Sequence, residues 1–109
     1  MATYHAKPGE IVDLESWAED LPFDQTKVII KTEELELVRL VIPAGKEIPK
    51  HEVTGPIVIH CLDGELIITA MNTNIPLSSG HLLYLKPGDP HAVKAISDSI
   101  VLLSVIFKD

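Results

Sequence analysis

The sequence predicts an all-β fold, one domain of short antiparallel strands closed into a barrel or sandwich, and three observations carry that prediction. Hydrophobic residues make up 46% of the 109 positions while aromatics make up only 5%, so the interior must be built from Ile, Leu and Val. These side chains fit a pleated surface. Turn-forming residues return about every ten positions between apolar runs, as antiparallel sandwiches and barrels require. No segment holds helical periodicity for more than about two turns, which leaves an α/β arrangement without its crossover helices. A chain of this length has room for one core, sizeable only if the fold closes efficiently or pairs with another copy.

The first thirty residues are richer in acids and turn formers than the rest. They are expected to form an arm, residues 1–30, that packs on a barrel formed by residues 31–109. Within the arm, residues 10–14 read as a short strand and the region near Trp17 as at most one helical turn. Trp17 and Phe23 would cover the outside of the barrel. Residues 27–31 carry Val28, Ile29 and Ile30, and a Thr-Glu-Glu turn leads to a long strand over 35–42, stopped by Pro43-Ala44-Gly45. The acidic run of Glu33, Glu34 and Glu36 reads as a solvated edge, since no basic partner or paired catalytic geometry accompanies it. Gly55-Pro56 precedes the apolar run 57–62. Asp63-Gly64 then separates it from 65–68, a pattern that predicts a β-hairpin because a tight reversal needs positive φ. Residues 71–74 read as a turn, 75–77 as a short strand, and Ser78-Ser79-Gly80 as another turn. Residues 81–85 are strand-like and 86–90 form a proline-rich rigid loop. Two further strands, 91–96 and 99–107, complete the pattern.

Charge and motif content exclude several functions. The net charge of −7 repels phosphate backbones and anionic membranes, and no Lys/Arg cluster offsets it locally. Neither nucleic acid nor membrane is an expected partner. No apolar stretch approaches the ~20 residues of a membrane-spanning helix. A single cysteine, Cys61, excludes an intrachain disulfide framework, and the N-terminus lacks the pattern of a secretory signal, so a reducing cytoplasm is the simplest address. No G-x-S-x-G elbow, phosphate-cradling loop or H-E-x-x-H helix is present.

Two segments bearing glycine and histidine remain. Gly45, His51 and Gly64 form the first; Gly80, Lys86-Pro87-Gly88 and Asp89-Pro90-His91 form the second. Their order and spacing resemble the two signature motifs of the cupin family across most of the chain, roughly residues 35–107. The resemblance implies a double-stranded β-helix, the cupin jelly-roll barrel of the RmlC-like type, with the motif residues lining its mouth. It also implies a metal position, because metal-binding cupins hold Fe, Mn, Ni, Cu or Zn with three imidazoles and one carboxylate. This chain keeps half of that set. The second histidine falls on Val53 and the glutamate on Ile57, while Lys86 replaces a proline of the second motif.

His51 and His91 are thus the candidate metal and ligand-binding residues, and Val53, Ile57 and Cys61 are the candidate lining residues. Two imidazoles could orient a carboxylate or carbonyl, serve as a general base, or remain as inherited pocket residues bonded to backbone or water. Strand alternation puts Cys61 on the face of Ile57, making it the residue that could repair a metal site, although a lone Cys among aliphatics is ordinarily core. His60 would face outward, at a subunit interface. His81 reads as a hydrogen-bonding turn residue and His5 carries no signal. Glu52 and Asp89 could support the imidazoles from behind, with surface solvation the simpler reading.

The expectation is a binding module for a small organic molecule in the barrel lumen, without a tightly bound metal. The alternative is a metal-dependent dioxygenase or isomerase using His51, His91 and water or Cys61. A third reading is an oligomerisation or regulatory unit, though no DNA-binding helix pair is present. Strongly apolar terminal strands on so small a barrel also predict a homodimer.

Overall fold

The computed structural model describes residues 5–14, 27–51 and 55–107, with the side chains of 49–51 outside that description. Nine strands are present among them: β1 Lys27–Lys31, β2 Leu35–Ile42, β3 Glu47–His51, β4 Ile57–Asp63, β5 Glu65–Ala70, β6 Thr73–Ser78, β7 Leu82–Leu85, β8 His91–Ala95 and β9 Ser99–Ile106. They form a five-stranded sheet in the order β1-β2-β9-β4-β7 and a four-stranded sheet in the order β3-β8-β5-β6. Every pairing is antiparallel. The chain changes sheet at each connection except β1–β2 and β5–β6, so the two sheets are wound together as a jelly roll.

Period-two alternation explains the core. On β4 the positions of Ile57, Ile59 and Cys61 are buried while Val58, His60 and Leu62 are only half-buried. On β5, Leu66, Ile68 and Ala70 point inward. These side chains join Ile42, Leu77, Leu85, Val93, Ala95, Val101 and Val105 in one cluster between the sheets. Each fully buried Ile, Leu or Val contributes about 1.5–3 kcal/mol by leaving water. With no ring among them, the cluster rests on aliphatic interdigitation alone.

Two local expectations are corrected. Residues 10–14 form no strand; Lys7-Pro8-Gly9-Glu10 is a turn, closed by the Glu10 N–H donating to the Lys7 carbonyl at 2.9 Å and the Lys7 N–H donating to Glu10 Oε1 at 2.9 Å. The segment before β1 meets that strand at Ala6, whose N–H donates to the Ile29 carbonyl at 2.7 Å. Trp17 and Phe23 lie outside the described residues. The second correction concerns Asp63-Gly64, which does not close a hairpin. β4 already has β7 and β9 as neighbours and β5 has β6 and β8, so the two strands separated by Gly64 belong to different sheets.

Gly64 instead turns the corner between the sheets. Its φ of 95° lies in the region open to glycine, and a Cβ there would meet Ser99 Oγ and stand 2.8 Å from Ser99 Cα. Ser99, fully buried, fastens the corner. Its hydroxyl accepts from the Glu65 N–H at 3.2 Å and donates to the Ser97 carbonyl at 2.8 Å. The tight hairpin lies one strand later. Met71 and Asn72, both at positive φ (52° and 60°), reverse the chain between Ala70 and Thr73, which are cross-strand partners. That is the two-residue turn whose twist matches its flanking strands.

Candidate functional site

Between the sheets the packing leaves a cavity of about 160 Å³. Six aliphatic side chains line it, Leu40, Ile48, Ile59, Val93, Val101 and Leu103, together with one imidazole, that of His91. Both sheets contribute, because β2, β4 and β9 stand on one side and β3 and β8 on the other. A larger hollow of about 570 Å³ lies against Lys7, Pro8, Gly9 and Glu10, but these are consecutive exposed residues of one turn and enclose nothing.

His91 opens β8 directly after the Pro87-Gly88-Asp89-Pro90 loop and is only 2% exposed. Its Nδ1 lies 3.2 Å from the Asp89 carbonyl oxygen. A carbonyl only accepts, so Nδ1 carries the proton and, in the neutral ring, Nε2 is the acceptor. The contact comes from the backbone of Asp89 and not from its carboxylate; Glu52, the other proposed support, lies outside the described residues. Register places His51 opposite His91 on the neighbouring strand, so the fold brings the two motif histidines together at the level of the backbone.

The remaining candidates divide. Val53 lies outside the described residues. Ile57, 1% exposed, and Cys61, fully buried, share the inward face of β4, as alternation predicts. Neither is among the cavity-lining residues; both belong to the packed core. The Cys61 Sγ lies 3.5 Å from the carbonyl oxygens of Asp63 and Gly64, which share its proton. Burial pushes the thiol pKa up, and the negative charge of Asp63, then that of Glu65, adds to the rise. It is therefore a neutral thiol at neutral pH, unlike the thiolate a metal requires. His60 stands on the opposite face of β4, and His81 accepts the Ser78 N–H at Nδ1, 3.0 Å away, as a turn residue. Leu40, Ile48, Val93, Val101 and Leu103 were missed by the motif reading, because their part in the cavity follows from sheet pairing rather than from any local signal.

A metal of the family type does not fit this donor set. Two of its four positions are Val53 and Ile57, which have no donor atoms, and Ile57 is packed into the apolar core. Among the described residues no group of three His, Cys, Asp or Glu side chains could hold an ion.

The family model of the cupin domain, Cupin_2, matches residues 38–107, and the chain belongs to that family. Solved structures agree on the fold. A conserved protein of unknown function from Streptococcus pyogenes superposes with a TM-score of 0.80 at 21% identity, covering 100% of this chain and 97% of that one. A cupin superfamily protein from Desulfitobacterium hafniense gives 0.82 at 15% identity, covering 99% and 100%. An RmlC-like cupin from Desulfovibrio desulfuricans gives 0.72 at 27% identity, covering 81% and 90%. No curated protein matches the sequence. Among the described residues no helix is long and apolar enough to cross a membrane.

Proposed function

We propose that this cupin binds a small organic molecule in the barrel lumen, without a tightly bound metal, with His91 as the polar anchor. The observation that carries the reading is the cavity itself: about 160 Å³, walled by six aliphatic side chains and one oriented imidazole. An apolar cavity of about 150 Å³ is large enough to hold one benzene-sized molecule. The guest is accordingly a compact body of one ring or a short branched chain. Its polar end is a hydroxyl, which donates to the imidazole acceptor while the walls exclude water. The residues at positions 53 and 57 support the absence of a tightly bound metal in this reading, since valine and isoleucine have no donor atoms.

The test compares phenol with benzene by calorimetry on the wild type, His91→Leu and Val93→Phe. Wild type should prefer phenol by about tenfold, the worth of one buried hydrogen bond. His91→Leu should remove that preference, and Val93→Phe, which fills the cavity, should remove binding of both. Phenol binding unaffected by Val93→Phe would overturn the proposal. So would near-stoichiometric metal in protein purified without an affinity tag and lost from a His51→Ala, His91→Ala double mutant.

A further inference from the structure

The lumen site uses the backbone of Asp89 and leaves its carboxylate without a task. The side chain is half-buried, and its Oδ2 is shut off from solvent without a hydrogen-bond partner. A carboxylate oxygen that has lost water and gained no donor is costly, and such a group in a folded protein calls for an explanation. Space adjoins it. Asp89 and Pro90 wall one part of an open hollow of about 210 Å³, and Thr69, Ala70, Met71 and Asn72 wall the rest. Sheet pairing sets these two segments together, because Ala70 at the end of β5 stands opposite His91 at the start of β8. The hairpin turn after β5 thus lies beside the loop before β8. That loop is held at Asp89, whose N–H donates to the Lys86 carbonyl at 3.4 Å and whose own carbonyl accepts from His91 Nδ1 at 3.2 Å.

Backbone strain marks the same hollow. Met71 stands at φ 52°, a region in which a long side chain is uncommon, and it is 58% exposed. An unfavourable backbone angle that neither burial nor turn chemistry repays points to use at a site. Here it keeps a flexible thioether on the wall. The hollow therefore joins an acceptor that lacks a donor to the apolar surface of Ala70, Met71 and Pro90, so its occupant must donate hydrogen bonds and carry an apolar body. A metal ion would need several more donors, and among the described residues no group of three His, Cys, Asp or Glu side chains could hold one. An anion is repelled by Asp89 and by the net charge of −7. We propose that this hollow binds a small organic ammonium ion, whose N–H groups donate to the Asp89 carboxylate while a short alkyl chain lies against Met71 and Pro90. The χ2 torsion of an Asp is broad, so rotation brings its oxygens to the ligand. A cavity of about 150 Å³ takes a benzene-sized body, so this hollow takes a chain of about four to six carbons.

The test is a heteronuclear NMR titration of the full chain with n-butylammonium and with n-butanol, which has the same chain but no charge. Wild type should bind the ammonium ion at least about tenfold more tightly, the worth of a hydrogen bond to a charged group. The shifts should centre on Met71, Asn72 and Asp89. Asp89→Asn should abolish the preference, whereas Glu33→Gln, which removes the same charge from the exposed turn between β1 and β2, should keep it. That pair separates a site from the general attraction of a cation to an acidic protein. The spectra verify that each variant is folded; if Asp89→Asn is not, the ligand comparison and the position of the shifts in wild type decide alone. Equal affinity for the two ligands, or no saturation by about 10 mM, would overturn the proposal. So would a preference lost equally in Glu33→Gln, or shifts centred on Val93 and Val101, which would put the molecule in the lumen.

Discussion

The two sheets bury their inner faces in the same way and differ in what they turn outward. On the four-stranded sheet the outward positions of β5, β6 and β8 include Glu65, Thr69, Asn74 and Lys94, all exposed, with Thr69 donating to Asn74 Oδ1 at 3.1 Å. On the five-stranded sheet the corresponding positions are Val58, His60, Leu82, Tyr84 and Leu102, and the single buried charge there is Arg39. One sheet turns mainly polar side chains to water, and the other exposes Leu82 and Tyr84. Strand alternation therefore does more than define a core: where it fails in a strand that lies at the surface, it separates the outer faces of the two sheets by their chemistry.

The largest effect is expected where the sheets are joined. Gly64→Ala places a Cβ against Ser99 Oγ and in a backbone region unfavourable to L side chains. Steric crowding and the left-handed φ together should cost about 3 kcal/mol or more. Gly80→Ala isolates the backbone contribution, because Gly80 also has positive φ (87°) but open space around the added atom, and should cost only about 1–2 kcal/mol. Urea denaturation of the two variants measures the difference. Equal losses would show that the packing of the β8–β9 turn against the corner adds nothing.

Arg39 sharpens the contrast between the outward faces. It is 1% exposed, its Nε and Nη1 have no hydrogen-bond partner, and Lys27 and Leu102 are its neighbours across the sheet. Burial also lowers its pKa from the usual arginine range, because the charged guanidinium has lost solvent. Replacing such a group with an apolar side chain of similar volume should stabilise the fold. Arg39→Met is expected to raise the unfolding free energy by about 1–3 kcal/mol, read from chemical denaturation. A loss of stability would show that the guanidinium has a compensating anion and that this face is more polar than its strands suggest.

Much of this was legible beforehand because period-two alternation is a local property. Strands β4, β7, β8 and β9 fall where their apolar runs fall, and the inward facing of Ile57, Ile59 and Cys61 follows from counting residues. The motif histidines could be matched by spacing, and sheet pairing does set His51 opposite His91. Pairing partners were not legible. Asp63-Gly64 has the composition of a hairpin turn, but whether a positive-φ glycine reverses a strand or carries it into another sheet depends on which neighbours the strands already have. The cavity was hidden for the same reason, since Leu40 and Val101 are separated by sixty-one positions in sequence and are neighbours by register alone. Likewise, nothing local marks Ser99 as the residue that fastens the corner.

The β5–β6 hairpin offers the smallest change and the cleanest view of the finished sheet. Met71 and Asn72 both occupy the left-handed region, which suits Asn but costs a side chain such as Met about 1 kcal/mol. Met71 is also 58% exposed, so it returns little by burial. Met71→Asn with Asn72→Gly would supply the pair that this turn favours. The expected gain is about 1 kcal/mol, seen as a rise in Tm of roughly 4–8 °C for a domain near this size. The sheet it belongs to already meets water, so the gain should be the same at 1 and at 100 µM protein. A turn variant whose gain depended on concentration would mean that the four-stranded sheet takes part in assembly.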